Sequence, residues 1–185
     1  MRRYWFPKPY ADFVARLRVP IGFLLVAAFA WLSRPAQLSL CLGASISFAG
    51  IALRAWAAGH LSKNTELATS GPYAYVRNPL YLGTLVAALG LVIASRESSL
   101  GILFAAVFVF IYLPVVELEE QHLRKLFPEY GAYASRVRML LPSFGYRGSG
   151  RQFQWRLYIK NQEYQALLGF LAGIAFLAWK AWVVE

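Results

Sequence analysis

From Gly71 to Gly83 the chain reads GPYAYVRNPLYLG, a basic, proline-punctuated and aromatic stretch set at the mouth of an apolar segment. Gly71-Pro72 makes a turn, and Pro79 stops any helix from running backwards through Asn78. The stretch therefore separates two apolar segments and marks one edge of the fold. Farther along, the acidic run Glu117, Glu119 and Glu120 lies at the end of another apolar segment. Charge clusters of opposite sign at the edges of apolar segments point to a polar ligand held there.

The 185-residue chain is 58% apolar, 16% aromatic and only 15% charged, whereas soluble domains are about 45–50% apolar. That excludes an ordinary soluble domain and predicts an all-α, polytopic membrane helix bundle, with residues 1–185 as a single domain. No small-residue cleavage site follows the first apolar run, so that run is expected to stay in the mature protein. The net charge of +10 is scattered over loops, so no nucleic-acid partner is expected. Cys41 is the only cysteine, and His60 and His122 are the only histidines. No disulfide, redox pair or metal centre is therefore expected.

A bilayer core about 30 Å thick takes roughly 20 helical residues. Five segments qualify, at about 13–32, 38–58, 80–94, 100–116 and 166–184. The first two are joined only by residues 33–37, and the third and fourth only by 95–99, so each pair must form an antiparallel hairpin. Of the 19 Lys and Arg residues, only Arg34, Arg96 and Lys180 fall on the side of those short turns. The positive-inside rule then places the amino terminus and both long connections in the cytoplasm and the carboxyl terminus outside. Trp5, Trp31, Trp56, Trp155 and Trp182 fall near segment ends, as an interfacial belt requires.

Gly43 with Ser47, and Gly169 with Gly173, have the spacing that lets helix backbones approach closely. Packing within the bundle is the expectation, and a homodimer through Gly169 and Gly173 the alternative. Between Glu119 and Arg138, charges alternate with Leu123, Leu126, Phe127, Tyr130, Tyr133 and Val137 around Pro128 and Gly131, which predicts two interfacial amphipathic helices. Arg136, Arg138, Arg147, Arg151, Arg156 and Lys160 continue a basic surface suited to anionic membrane lipids.

Arg77 and Asn78 precede the third apolar helix, whose amino terminus carries unpaired N–H groups and a partial positive charge. That is a seat for an anion, with Arg77 as a further donor. Tyr73, Tyr75 and Tyr81 supply faces for a base or a cation. Gly83 leaves room for a close neighbour. Glu117 and Glu120 share a helix face with Arg124, while Glu119 points elsewhere, near His122. Carboxylates beside an apolar segment usually face a polar cavity. His60, Lys63, Asn64 and Glu66 form a third polar patch.

Two runs, LRAWAAGHLSKNTELATSGPYAYVRNPLYLG and VELEEQHLRKLFPEYGAYASRVRMLLP, resemble the isoprenylcysteine carboxyl methyltransferase and phospholipid methyltransferase superfamily of integral membrane enzymes. The resemblance covers residues 53–142 and leaves an extra C-terminal transmembrane helix at about 166–184. It rests on a GPY-type turn, the R-N-P-x-Y-x-G loop, a helical hairpin, paired glutamates and F-x-x-Y-x-x-Y. It implies S-adenosyl-L-methionine as methyl donor, held at the cytoplasmic face by Tyr73, Arg77, Asn78, Pro79, Tyr81, Gly83 and Glu120. Glu119, Glu120 and His60 are the implied catalytic candidates. Asn78 stands where prenylcysteine-type relatives carry His.

The expected activity is methyl transfer to a lipidic or prenylated acceptor, most like isoprenylcysteine carboxyl O-methylation. The alternative within the superfamily is ethanolamine phospholipid N-methylation. Outside it stand an NADPH-dependent sterol-type reductase, whose loop is similar, and a non-enzymatic membrane protein that binds anionic lipid.

Overall fold

The computed structural model describes residues 5–145 and 148–184. Arg147 of the expected basic surface, and Arg2 and Arg3 of the amino-terminal charge group, lie outside them. Regular structure among the described residues is helical: α1 (Lys8–Leu32), α2 (Gln37–Ala58), a 3-10 turn (Gly71–Ala74), α3 (Pro79–Ser95), α4 (Ser98–Val107), α5 (Leu113–Leu126), α6 (Tyr130–Arg136), α7 (Trp155–Lys160) and α8 (Tyr164–Val184). The bundle spans a membrane as expected. α1, α2, the continuous α4–α5 rod and α8 are long and apolar enough to cross a bilayer. The third expected span, α3, has 17 residues, about 25 Å at 1.5 Å per residue, and travels against α2.

Small residues set the α2–α3 contact. A Cβ at Gly43 would lie 2.6 Å from the Ala94 Cβ, and one at Gly50 would lie 2.6 Å from the Gly83 carbonyl oxygen. The Ser47 hydroxyl donates to the Ala87 carbonyl at 2.7 Å. Backbone thus meets backbone along the pair, which is where lipid-embedded helices gain their packing. The same reasoning fails for Gly169 and Gly173, where an added Cβ would meet nothing within 4 Å. They face outward, and the packing expected of them inside the bundle is absent. The outward surface also carries Phe23, Leu24, Val26, Leu38, Ile102 and Leu168, all more than half exposed, as helices facing lipid chains require.

Both tight turns lie at one end of the bundle, where the Arg34 N–H donates to the Ser95 carbonyl at 2.8 Å. Lys180 of α8 reaches the Ala30 and Trp31 carbonyls there, at 2.9 and 3.1 Å. The GPYAYVRNPLYLG loop and the acidic run occupy the opposite end.

Two boundaries differ from expectation. α1 begins at Lys8, earlier than its apolar run, because Pro7 and Pro9 sit where a first helical turn tolerates proline. The fourth apolar segment does not stop near Val116 but runs without a break to Leu126. The first expected amphipathic helix is therefore the end of a spanning rod, and only α6 is a separate short helix. Within the rod, Phe108–Tyr112 forms one wide turn in which the Leu113 N–H donates to the Phe108 carbonyl, five residues back. Pro114 has no N–H for the Phe110 carbonyl, so that carbonyl would be left unpaired in a regular helix. Instead it accepts from the Tyr10 hydroxyl of α1 at 2.6 Å.

Candidate functional site

Gly71 starts the loop at φ +55° with its Cα against the His60 ring, where a Cβ would come 2.6 Å from Cδ2. Only glycine fits this left-handed approach. After one 3-10 turn the backbone extends beside residues 138–143. The Arg77 and Asn78 N–H groups donate to the Arg138 and Met139 carbonyls at 2.9 and 3.1 Å, and the Ser143 N–H donates to the Tyr75 carbonyl at 2.8 Å. The Tyr133 hydroxyl donates to the Tyr73 carbonyl at 2.7 Å. The Tyr81 and Leu82 N–H groups turn back to the Asn78 carbonyl, both at 3.1 Å. Donors expected to receive an external anion at the start of α3 are thus largely used inside the fold.

Behind this loop lies a buried polar strut. Arg77 Nε donates to Glu120 Oε1 at 2.9 Å, with the two side chains 2% and 7% exposed. Asn78 Nδ2 donates to the same oxygen at 3.1 Å. Arg77 Nη1 continues to the Ala134 carbonyl at 2.8 Å. Loop, α5 and α6 are therefore joined through the Arg77 guanidinium, and Phe127, Tyr130, Tyr133 and Val137 form an apolar cluster on the α6 side. Arg124, expected beside Glu120, instead lies over the Tyr130 ring at 5.1 Å. Glu117 turns to the chain entering α1 and accepts from the Trp5 and Phe6 N–H groups at 2.9 and 3.1 Å.

In front of the strut is a cavity of about 780 Å³, within the range of about 300–1,000 Å³ typical of ligand pockets. Tyr73, Tyr81, Tyr112, Tyr130 and Tyr133 form its aromatic walls. Arg18, Arg54, Lys63 and Arg77 bring positive charge to it, and Glu66 and Glu119 negative charge. The Tyr81 hydroxyl donates to Glu119 Oε1 at 2.9 Å, and Arg18 stands 4.0 Å from the same oxygen. Burial pushes the Tyr73 phenol well above the usual tyrosine range. It pushes Tyr130 upward too, with the Glu120 carboxylate adding to the effect. Both therefore remain protonated. His122 faces the cavity, with Nε2 3.2 Å from Asn64 Oδ1.

Of the residues singled out in the sequence, Tyr73, Arg77, Tyr81 and Glu119 meet on the cavity wall. Asn78 and Glu120 form the strut behind it, and Pro79 is the buried first residue of α3. Gly83 faces α2, where a Cβ would be 2.6 Å from Arg54 Cγ. His60 does not line the cavity. Its Nδ1 lies 2.9 Å from the Ser70 hydroxyl and its ring meets Trp56 and Phe153 edge-on. Burial, with the Arg151 charge added, holds its pKa below the ordinary value. Arg18, Arg54 and Tyr112 were missed in the sequence because each sits in an apolar span, where only the fold reveals the face it occupies. Tyr130 and Tyr133 were visible in F-x-x-Y-x-x-Y, without a role.

A model of the phospholipid methyltransferase family matches residues 21–130, which hold α2, the loop, α3 and the acidic helix. The cobalt-zinc-cadmium resistance protein CzcN of Cupriavidus metallidurans is 34% identical over 135 residues, covering 71% of this chain and 59% of that protein. The nickel-cobalt-cadmium resistance protein NccN of Alcaligenes xylosoxydans xylosoxydans is 30% identical over 151 residues, covering 74% of this chain and 70% of that protein. The chain thus spans less than two thirds of the first relative's length. No solved structure matches it. Loop, Glu120 and most of the cavity wall lie within the matched residues, and the chain belongs to the phospholipid methyltransferase family.

Proposed function

We propose that the chain transfers a methyl group from S-adenosylmethionine to a lipidic acceptor whose head reaches the cavity beside the GPYAYVRNPLYLG loop. The observation that carries this reading is the wall itself: five tyrosines, a cationic side and the Glu119 carboxylate meet in one space of ligand size, within a phospholipid methyltransferase core. The donor supplies a methyl on a sulfonium, ready for in-line displacement. Its carboxylate would find a guanidinium on the wall, its ammonium would find Glu119, and its adenine and sulfonium would find the tyrosine faces. Arg77 and Glu120 serve it from the strut, Arg77 at the wall and Glu120 as the anion that holds Arg77 and Asn78. His60 stands off the cavity wall, against Ser70 and the start of the loop.

Methyl transfer needs no covalent intermediate on the enzyme, so positioning and water exclusion carry the rate. A carboxylate acceptor, as in isoprenylcysteine O-methylation, is already ionised at neutral pH and needs no base. An ethanolamine head must first lose a proton, and Glu119, linked to Tyr81, is the group placed to take it. The family model's description favours this second reading. The basic end of the bundle would face the cytoplasm.

The two relatives are named for metal resistance. Among the described residues no group of three His, Cys, Asp or Glu could hold a metal ion. Under the methyl-transfer reading, a share in such a phenotype would come through a modified membrane component.

The test is incubation of the full chain in lipid nanodiscs with methyl-labelled donor and a total lipid extract, followed by mass spectrometry. A labelled lipid is expected. A base-labile methyl identifies an ester and a stable one an amine. No transfer, together with no calorimetric binding of S-adenosylmethionine or S-adenosylhomocysteine, would return the protein to a lipid-binding role.

A further inference from the structure

Residues 148–163 run back beneath α2 and the loop, beyond the matched residues, and hold on at several points. The Gln154 N–H donates to the Gly59 carbonyl at 2.9 Å. Asn161 Nδ2 donates to the Ala58 and Leu61 carbonyls at 3.0 and 2.8 Å. Arg151 pairs with Glu66 of the cavity wall. The last contact involves a second wall residue: Glu163, just before α8, takes Arg54 Nε and Nη2 in a two-pronged pair at 3.0 and 2.8 Å. Arg54 and Glu163 are 23% and 11% exposed.

Arg54 starts on α2, but its work is done across α3. Gly83 has no side chain, which lets the Arg54 stem pass, and Nη1 then donates to the Thr84 hydroxyl and the Leu80 carbonyl. These contacts use four of the five guanidinium N–H groups. The second N–H of Nη2 is left over, on a side chain that lines the cavity. The two oxygens of Glu163 fix the plane of the guanidinium, as bidentate carboxylate pairs do.

We propose that Glu163 is a positioning residue for the donor site, acting through Arg54, whose guanidinium it holds on the cavity wall for the donor's amino-acid carboxylate. This rests on the methyl-donor reading above. The segment leading into α8 is then part of the site, because the core matched by the family model contains Arg54 but not the carboxylate that orients it.

The test uses the full chain in nanodiscs, with calorimetric affinity for S-adenosylhomocysteine set beside the thermal midpoint. Glu163→Gln is expected to weaken binding by about tenfold or more, the effect of losing a charge-assisted contact. Glu163→Asp should recover most of it. The exchange R54E with E163R should restore the thermal midpoint but not the affinity, since the guanidinium then sits on the C-terminal segment. Lys180→Gln, at the far end of the bundle, controls for destabilisation alone and should leave affinity unchanged. Wild-type affinity in E163Q, or its recovery in the exchanged pair, overturns the proposal and leaves the donor reading standing. A wild-type chain that binds no S-adenosylhomocysteine overturns both.

Discussion

Replacing Glu120 by alanine would leave the Arg77 guanidinium, 2% exposed, without its counter-ion and Asn78 without an acceptor for its closest side-chain bond. Removing one member of a buried pair costs about 3–5 kcal/mol, because the remaining charge is neither solvated nor compensated. At about 1.4 kcal/mol per tenfold change, the loop should open roughly a hundred- to a few-thousandfold more often. The opening has a local signature: the Arg77 and Asn78 amides, bonded to the Arg138 and Met139 carbonyls, should lose hydrogen-exchange protection, while amides in the α2–α3 contact keep theirs. Replacing both partners with apolar residues, R77M with E120L, should restore much of the thermal stability, since two matched apolar groups carry no stranded charge. It should not restore donor binding, as the wall loses a cation. An E120A chain that loses less than about 1 kcal/mol, or a double variant no more stable than either single one, would show that the strut does not behave as a buried pair.

Other sites give sharper local tests. Gly83→Ala puts a methyl 2.6 Å from Arg54 Cγ and 2.7 Å from the Gly50 carbonyl oxygen; the expected loss is about 1–3 kcal/mol by overpacking, read as a lower thermal midpoint with weaker donor binding. Tyr10→Phe removes the hydroxyl that donates to the Phe110 carbonyl and should cost about 0.5–1.5 kcal/mol, the net worth of one hydrogen bond, seen as faster exchange around the wide turn. His60 has a folded pKa below its ordinary value of about 6.5. The stability it contributes is therefore complete above pH 6.5 and is lost as pH falls through the lowered folded value. The drop in thermal midpoint from about pH 7 to pH 5 should be smaller in His60→Gln than in the parent chain, and equal drops would refute the assignment.

The helices were legible because lipid demands long apolar runs, and the α2–α3 contact because Gly43 and Ser47 share a face. The loop's place beside Glu119 and Glu120 was legible from the short connections, which force both to one end. What each carboxylate touches was not. Glu117, Glu119 and Glu120 lie within one turn, and helical spacing pairs Glu117 with Glu120, yet Glu117 meets the chain entering α1, Glu119 meets Tyr81 in the first turn of α3, and Glu120 meets Arg77 and Asn78 ahead of it. Their partners depend on how α1 and the start of α3 arrive around the rod, and that information is distributed over the chain. Gly169 and Gly173 show the same limit from the other side: their spacing permits a close contact, but no described helix comes to make it.

The wide turn at Phe108–Tyr112 also sets the phase of the rod. It takes one residue more than a regular turn, so each residue after it keeps the face that the preceding position would hold in an unbroken helix, a difference of about 100° around the axis. Glu119 and Glu120 lie downstream. Their division between cavity and strut depends on that phase, and Tyr10 supplies the Phe110 carbonyl with the bond that Pro114 cannot. Deleting Val109, which belongs to neither the cavity nor the strut, would make the turn regular and leave Glu120 facing Arg77, whereas the same deletion in a regular turn just after it would swing Glu120 away by about 100°.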